Sequence, residues 1–190
     1  MKELLFLLIS TVFINNIVFT RLVGVESLLE FTKSRKLAKV MVKLLMGITF
    51  LSSLINYVLY EFVLKSLGFE ILDTLVYLVV IYLVAKFTFS LLKSKDLKDY
   101  DDVKMYLPFL IANTAVLYSS ISINAGLSFS EALVSSVAIP LGLFFMFYLF
   151  SSVKTRLDMA DTPKAFRGFP ILLIFAAIAV LALSGLNGLV

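Results

Sequence analysis

Four polar side chains stand inside otherwise apolar stretches of the sequence: Asn15, Asn16, Asn113 and Thr114. An amide or a hydroxyl within a lipid bilayer is energetically costly, and such residues often belong to a binding site or an ion path. They predict either interrupted backbone or a cofactor site near the middle of the membrane. The alternative is ordinary hydrogen bonding between helices, which contributes about 0.6 kcal/mol on average. The residue types alone leave both interpretations open.

Other residues near these positions have the chemistry to bind a cation or to break a helix. Gly24 and Glu26 follow the first apolar stretch, and the Glu26 carboxylate could coordinate a cation, pair with Arg21 or stay solvated at the interface. Pro108 precedes Asn113 in the fourth stretch. It either breaks the helix, because proline lacks the backbone donor, or occupies the first turn, where proline is tolerated. Together with the four polar side chains, Gly24 and Glu26 are our candidates for an ion path near the midplane.

The sequence lacks cysteine, histidine and tryptophan altogether. Without cysteine and histidine it has none of the usual ligands for zinc, haem or iron–sulfur clusters, and neither cysteine nor histidine catalysis. No phosphate-binding loop, nucleophile elbow or metal-binding histidine pair occurs either. We therefore expect no catalytic residues, no metal and no cofactor bound by this chain alone.

The elements that carry these residues are predicted by the composition. Of the 190 residues, 61% are hydrophobic and only 16% are charged, whereas a soluble domain is closer to half apolar. A charge-poor run of roughly 20 residues is long enough for a helix to cross the hydrocarbon core, and a helix satisfies its own backbone hydrogen bonds there. We expect the first run to remain as a span, since no small-residue cleavage site follows it. The chain is thus predicted to be an all-α integral membrane protein, one membrane domain over residues 1–190, with six transmembrane helices at about 4–20, 44–60, 74–92, 105–130, 132–153 and 168–190.

The basic residues are distributed asymmetrically among the predicted loops. Fifteen of the 17 lysines and arginines flank the connections after the first, third and fifth runs, and only Lys2 and Lys65 lie on the other side. The positive-inside rule therefore predicts a multi-pass protein of the cell membrane with cytoplasmic basic loops and both termini outside. This topology accounts for the net charge of +4, and we expect no nucleic-acid partner.

Six spans divide into two sets of three, and an odd number per set makes the second set run in the opposite direction. We predict two inverted repeats, about residues 1–95 and 103–190, of the kind common in membrane proteins that move ions or solutes. The segment NNIVF, which begins at Asn15, resembles NTAVL, which begins at Asn113, and each lies in the first span of its repeat. Spans one and four are therefore predicted to be broken helices.

A connection rich in charged and turn-forming residues precedes the sixth run. It is either an ordinary cytoplasmic turn whose basic residues set the orientation, or a docking surface or structural latch. The residues concerned are Arg156, Asp161, Pro163, Phe166, Arg167 and Gly168.

Three motifs and the C-terminal sequence SGLNGL carry a resemblance to a known family. The first motif is NNIV from Asn15 with LVG ending at Gly24, the second is LPFL around Pro108 with Asn113 and AVL, and the third is the connection at 156–168. With these motifs the chain resembles, from end to end, the family of the A subunit of the Rnf electron-transport complex. The E subunit of the sodium-pumping NADH:quinone reductase, Nqr, is a close relative in that family.

The resemblance implies a six-helix subunit that pairs with a homologous subunit inserted the opposite way. It also implies a complex that couples electron flow between ferredoxin and NAD to sodium or proton movement. In the family, each of the two subunits gives two cysteines to one [2Fe–2S] cluster between them. The matching positions here are Glu26 and Thr114, whose hard oxygen atoms differ from the thiolates that such clusters require. We therefore expect no cluster ligands from this chain and a cluster site that is lost or altered.

Three functions remain open at this point. The leading hypothesis is a membrane subunit of an Rnf-type redox-driven ion pump, inactive by itself and partnered by the homologous inverted subunit, other Rnf subunits and the lipid bilayer. The alternative is an inverted-repeat secondary transporter or channel without a redox role, and the third is a structural assembly subunit. Flavoprotein and ferredoxin-like genes beside this one would favour the redox complex.

Overall fold

A computed structural model describes residues 2–24, 35–94, 100–124 and 126–185 of the chain. Within these ranges every regular element is a helix. The longer helices are α1 (Lys2–Ile9), α3 (Arg35–Leu59), α5 (Asp73–Ser94), α8 (Thr114–Ile123), α9 (Phe129–Met159) and α10 (Phe169–Ser184). The shorter ones are α2 (Ile17–Arg21), α4 (Lys65–Leu67), α6 (Tyr100–Lys104) and α7 (Leu107–Ile111), with π-helical turns at Ser10–Ile14 and Tyr60–Leu64 and 3₁₀ turns at Glu70–Leu72 and Lys164–Phe166.

Three helical stretches are long and apolar enough, by length and composition, to cross a membrane: Lys39–Leu67, Glu70–Lys93 and Phe129–Leu157. Shorter apolar helices occupy Leu107–Ile123 and Pro170–Ala182. The described chain is therefore all-helical and has the character of a membrane protein, as predicted. The number of crossings, the inverted repeat and the side of each terminus stay predictions.

Two of the predicted runs are not single helices. The run at 4–20 consists of α1, a π-helical turn and α2, and the chain leaves helical geometry between them at Asn15 and Asn16. The run at 105–130 consists of α7 and α8, and its last two residues already belong to α9. The boundary at Glu131 was misplaced because Ser128 caps α9: its side chain accepts from the Glu131 N–H, and the Glu131 side chain binds the Ser128 N–H in return.

The helix α3 lies at the centre of the molecule. It packs against α9, α8 and α5, while the segments of the first run pack against α9. The side chains of Met41, Leu45 and Ile48 along α3 are fully buried. Apolar side chains make up most of the core, with buried polar side chains among them. The first interrupted helix packs against α9, and α8 of the second packs against α3.

The outer face of α5 is as apolar as the core. Leu75, Val79, Leu83 and Phe87 recur every fourth residue and are all exposed. A row of this kind would be unfavourable in water, since apolar surface costs about 25 cal/mol per Å² exposed, and large exposed apolar patches mark contacts with lipid or protein. On the same helix, Lys86 is exposed, and its Nζ lies 5.5 Å from the centre of the Tyr82 ring.

Candidate functional site

Asn16 makes the first interruption by capping the helix that follows it. Its backbone is extended, with φ −61° and ψ 124°, and its Oδ1 accepts a hydrogen bond of 3.0 Å from the N–H of Val18. Its Nδ2 donates to the carbonyl oxygen of Val12 at 2.8 Å. The side chain is only 1% exposed. Asn16 therefore gives a hydrogen-bond partner to one backbone group on each side of the break, the carbonyl of Val12 and the N–H of Val18.

Asn113 makes the second interruption in the same manner. Its backbone has φ −85° and ψ 122°, and its Oδ1 accepts from the N–H of Ala115 at 2.9 Å. It is also 1% exposed. Pro108 lies in the first turn of α7, where no backbone donor is needed, and not at the break. The break is thus made by asparagine and not by proline.

The first broken helix and the second interruption are joined by a direct contact. The N–H of Gly24, just beyond α2, donates to the Oγ1 of Thr114 at 3.0 Å across 90 residues of sequence. Gly24 has φ +84°, and a Cβ built on it would lie 3.0 Å from the Cβ of Ala115. Only glycine combines this left-handed conformation with so close an approach. The end of the first broken helix therefore lies against the start of α8.

Asn15 differs from its neighbour, although the sequence put the two in one motif. Its side chain is exposed, and its Nδ2 donates to the Oγ of Ser10 at 2.9 Å across the π-helical turn. Asn15 therefore closes the turn before the break. It does not point into the buried region where Asn16 lies.

Gly142, which was not among the residues predicted from the sequence, faces the first break from α9. A Cβ built on Gly142 would lie 2.8 Å from the Nδ2 of Asn16, well inside contact distance. Small residues where transmembrane helices approach closely are a recognised pattern. A glycine inside a long apolar run was therefore a usable signal, although it could not identify Asn16 as the neighbour.

A second feature missed from the sequence is a row of buried polar side chains on α3. The spacing of the row, i, i+3, i+4 and i+7, places it on one helix face, and the hydroxyl groups in it donate back to carbonyls of their own helix. Its fourth member, Asn56, donates from Nδ2 to the Oγ of Ser120 on α8 at 2.9 Å. The row consists of Thr49, Ser52, Ser53 and Asn56.

Asn124, just beyond α8, makes a related contact with α5. Its Nδ2 donates to the Oη of Tyr77, a fully buried side chain, at 2.6 Å. Within the described residues, the Oδ1 atoms of Asn56 and Asn124 are buried and accept no hydrogen bond. A buried amide oxygen without a donor is unfavourable, and such an oxygen is suited to bind a water proton or a hard cation.

The donor atoms at the joined breaks are oxygens and backbone nitrogens, which do not fit an iron–sulfur cluster. The whole chain has no cysteine, and the Thr114 hydroxyl already accepts from Gly24. Glu26 lies outside the described residues. In the part of the chain that the structure describes, no three acidic residues come together as a metal site.

The connection before α10 is held to itself by Arg167. Its Nε donates to the carbonyl oxygen of Thr162 at 2.8 Å, and its guanidinium lies 3.5 Å from the Asp161 carboxylate. Pro163 begins the 3₁₀ turn that contains Phe166, and Gly168 follows with φ +83°. All of these residues are exposed except Thr162.

Arg156 is separate from this connection, although the sequence put it in the same motif. It lies in the last turns of α9, on a groove between α9 and α3. The structure therefore brings Asp161 and Arg167 together and leaves Arg156 apart.

Comparison with known proteins assigns the chain to a family. The model of the family described as "Rnf-Nqr subunit, membrane protein" matches residues 4–190. The chain is 31% identical to the A subunit of the ion-translocating oxidoreductase complex of Hahella chejuensis, over 100% of this chain and 99% of the relative. It is 33% identical to the protein of the same name from Shewanella denitrificans, over 100% of both chains. It is also 30% identical to the A subunit of the Na(+)-translocating ferredoxin:NAD(+) oxidoreductase complex of Acetobacterium woodii, over 98% of this chain and 97% of the relative. With a match over nearly its whole length, the chain belongs to the Rnf-Nqr family of membrane-protein subunits.

Proposed function

We propose that this chain is the A-type membrane subunit of an Rnf-type complex that couples electron flow between ferredoxin and NAD to the transport of Na⁺ or H⁺. The observation that carries the proposal is the end-to-end similarity to relatives named as A subunits of ion-translocating oxidoreductase complexes. We expect the chain to act as a non-autonomous subunit with no catalytic residues of its own. It works with other Rnf subunits, among them a homologous subunit inserted the opposite way.

The joined helix breaks are the part of the chain that we assign to ion movement. Broken helices in inverted-repeat membrane proteins expose backbone groups that bind ions, and the site commonly lies where the repeats meet. Support comes from the buried position of Asn16 and Asn113 and from the contact between Gly24 and Thr114. Asn15 belongs to the same region through the π-helical turn. We also propose that Glu26, which lies outside the described residues, offers a cation a carboxylate on the cytoplasmic side of this path.

The polar groups along α8 extend this path away from the break. Ser120 and Asn124 follow Thr114 by six and ten residues, which is about 9 and 15 Å along a helix. Half of the hydrocarbon core is also about 15 Å thick. Asn56 and Tyr77 approach this line from α3 and α5. Ser120 and Asn124 are four residues apart and share one face of α8, and the polar groups on that face are suited to receive a small cation beyond the break.

The topology that we propose has six crossings in two inverted repeats of three, with both termini outside and the basic connections in the cytoplasm. The distribution of lysine and arginine supports it. We also propose that this chain gives no ligands to a [2Fe–2S] cluster. The reason is that the positions that match the family's cysteines are Glu26 and Thr114, and oxygen is a poor ligand for such clusters.

The proposed function is tested by purifying the native assembly through a tag on this chain and identifying its subunits. We expect flavoprotein, ferredoxin-like and homologous membrane subunits in fixed stoichiometry. Inverted membrane vesicles given reduced ferredoxin and NAD should take up ²²Na⁺, or their interior should become acidic. Vesicles prepared from cells that lack this gene should do neither. A chain that is recovered alone, or vesicles that transport equally well without it, would overturn the proposal.

The ion path is tested by substituting Glu26 with Gln and Asn56 with Leu. We expect Glu26→Gln to change the dependence of turnover on cation concentration, because it removes a negative charge from the path. Glu30→Gln is the matched control, since it removes a carboxylate from the same connection four residues later. Asn56→Leu should slow ion uptake more than electron transfer. Unchanged cation dependence in Glu26→Gln removes Glu26 from the path.

A further inference from the structure

A groove of about 700 Å³ runs between the beginning of α3 and the end of α9. It lies at the opposite end of these two helices from Glu61 and Glu131. Three basic side chains line it: Lys39 and Lys43 from α3 and Arg156 from α9. It does not include the joined helix breaks, so it is a separate feature of the molecule.

The three cations of the groove form a concentrated positive charge. Lys39 and Lys43 are four residues apart and therefore lie on the same face of α3, and all three side chains are exposed. Within the described part of the chain, the ion pairs join Glu61 to Lys65 and Asp161 to Arg167, and none involves these three residues. Like charges placed together repel one another, so an anion at this end of the groove would be strongly favoured.

The wall of the groove is aromatic. Phe144, Phe147 and Tyr148 occupy one face of α9 at spacings of three and four residues. Tyr148 is 69% exposed and Phe144 is 44% exposed. These rings lie 8 to 12 residues before Arg156, about 12 to 18 Å away along the helix, which is about the depth of one leaflet.

Hydroxyl groups lie between the charged end and the rings. Ser151, Ser152 and Thr155 line this middle part of the groove. Along α9 the groove therefore changes from charged to hydroxylic to aromatic. A phospholipid changes in the same order, from phosphate to glycerol ester to acyl chain.

We infer that this groove binds one anionic phospholipid, with its phosphate between Lys39, Lys43 and Arg156 and an acyl chain along Phe144, Phe147 and Tyr148. Charge complementarity selects an anionic lipid, because such a headgroup brings a net negative charge to the three cations whereas a zwitterionic headgroup brings none. Basic pockets between transmembrane helices are suited to such headgroups. A soluble phosphate compound would use the charged end but not the rings at hydrocarbon depth. The inference needs only that the chain lies in a bilayer, so it is independent of the proposed redox function.

The test uses the purified complex in nanodiscs of phosphatidylcholine with a minor fraction of phosphatidylglycerol. Native mass spectrometry then counts the lipid molecules that stay bound and titrates their affinity. A variant with Lys39→Gln, Lys43→Gln and Arg156→Gln should lose one phosphatidylglycerol per copy of this chain. At about fivefold for each basic residue, its affinity at this site should fall about a hundredfold. The matched control carries Lys93→Gln, Lys104→Gln and Lys164→Gln, the same change of net charge outside the groove, and should keep the lipid.

A second measurement does not depend on the triple variant, which could fail to assemble. A photoreactive amino acid in place of Tyr148, in the otherwise unchanged complex, should crosslink to phosphatidylglycerol in preference to phosphatidylcholine. Capture of a neighbouring protein of the complex at this position would show that the groove is a protein–protein contact, and it would overturn the inference. Equal retention of phosphatidylglycerol by the groove variant and the control would overturn the inference as well. So would crosslinking of the two lipids in proportion to their amounts in the nanodisc.

Discussion

The two interrupted helices use the same local chemistry in different surroundings. Asn16 and Asn113 have similar extended backbone geometry. The side chain of each caps the following helix by accepting a hydrogen bond from the N–H two residues later. The first break follows a π-helical turn, is packed against Gly142 of α9 and leads into a helix of five residues. The second leads into a helix of ten residues that packs against α3 and α5. In both interruptions an asparagine caps the helix that follows, so its position fixes where that helix begins. The two helices differ in length and in the helices that pack against them.

The largest effect is expected from removing the capping asparagines. Asn16→Ala leaves the N–H of Val18 and the carbonyl of Val12 without their partner, and each buried orphan costs about 1 to 3 kcal/mol. We expect the free energy of unfolding to fall by about 3 kcal/mol for Asn16→Ala and by about 2 kcal/mol for Asn113→Ala. Thermal unfolding of the purified protein in detergent measures both.

The serine variants at the same positions are the controls. Serine is also a good capping residue, so Asn16→Ser and Asn113→Ser should recover part of the loss. If alanine and serine have the same effect at either position, capping is not what that asparagine contributes.

A smaller effect should distinguish the first break from the second. Gly142→Ala brings a Cβ to within 2.8 Å of the Asn16 Nδ2, and it should lower the free energy of unfolding by about 1 to 2 kcal/mol through overpacking. Gly47→Ala is the matched control in α3, because nothing lies within 4 Å of its added Cβ. Alanine is the better helix former by about 0.8 to 1.0 kcal/mol, so Gly47→Ala should be neutral or stabilising. Equal melting temperatures for the two variants would contradict the packing of Gly142 on Asn16.

A still smaller effect is expected at the contact that joins the two breaks. Thr114→Val keeps the shape of the side chain but removes the acceptor for the Gly24 N–H, which should cost about 1 kcal/mol. Thr114→Ser keeps the hydroxyl and should stay within about 0.5 kcal/mol of the unsubstituted protein. The unfolding temperatures of the pair measure the difference. A loss in the valine variant that is no larger than the loss in the serine variant would show that the hydroxyl contact with Gly24 does not stabilise the fold.

The smallest effect is expected from Pro108→Ala. Proline in the first turn of α7 stabilises the folded protein by about 0.4 to 1 kcal/mol, mainly because it lowers the conformational entropy of the unfolded chain. The variant should therefore lower the free energy of unfolding by less than about 1 kcal/mol and keep its transport activity. A loss comparable to that of Asn113→Ala would show that proline makes the second break after all.

Much of this fold could be predicted from the sequence because hydrocarbon restricts what a chain can do. Long apolar runs have to form helices in lipid, and α3, α5 and α9 lie where such runs occur. An amide inside an apolar run is costly in lipid, so it was a candidate site for an interrupted backbone. The repeated motif at Asn15 and Asn113 therefore predicted breaks at the right places.

The partners of these residues could not be predicted, because the contacts join distant parts of the chain. Gly24 and Thr114 are 90 residues apart, and Asn56 and Ser120 are 64 residues apart. Nor could the sequence show that Asn15 is exposed whereas Asn16 is buried. The two residues are adjacent at a break, and their side chains point in different directions. Which of the two lies in the core depends on the position of α9.

The sequence by itself predicted that the described chain is helical and that it belongs in lipid, and it placed asparagines in the two runs that the structure shows to be interrupted. The tertiary structure alone decided that the end of α2 meets the second interruption, that Gly142 packs on Asn16 and that a basic groove forms between α3 and α9. The physical reason is that the lipid-facing and core-facing sides of a membrane helix are both apolar. The periodicity that reveals the buried face of a soluble helix is therefore weak here, and the buried face is established only by packing.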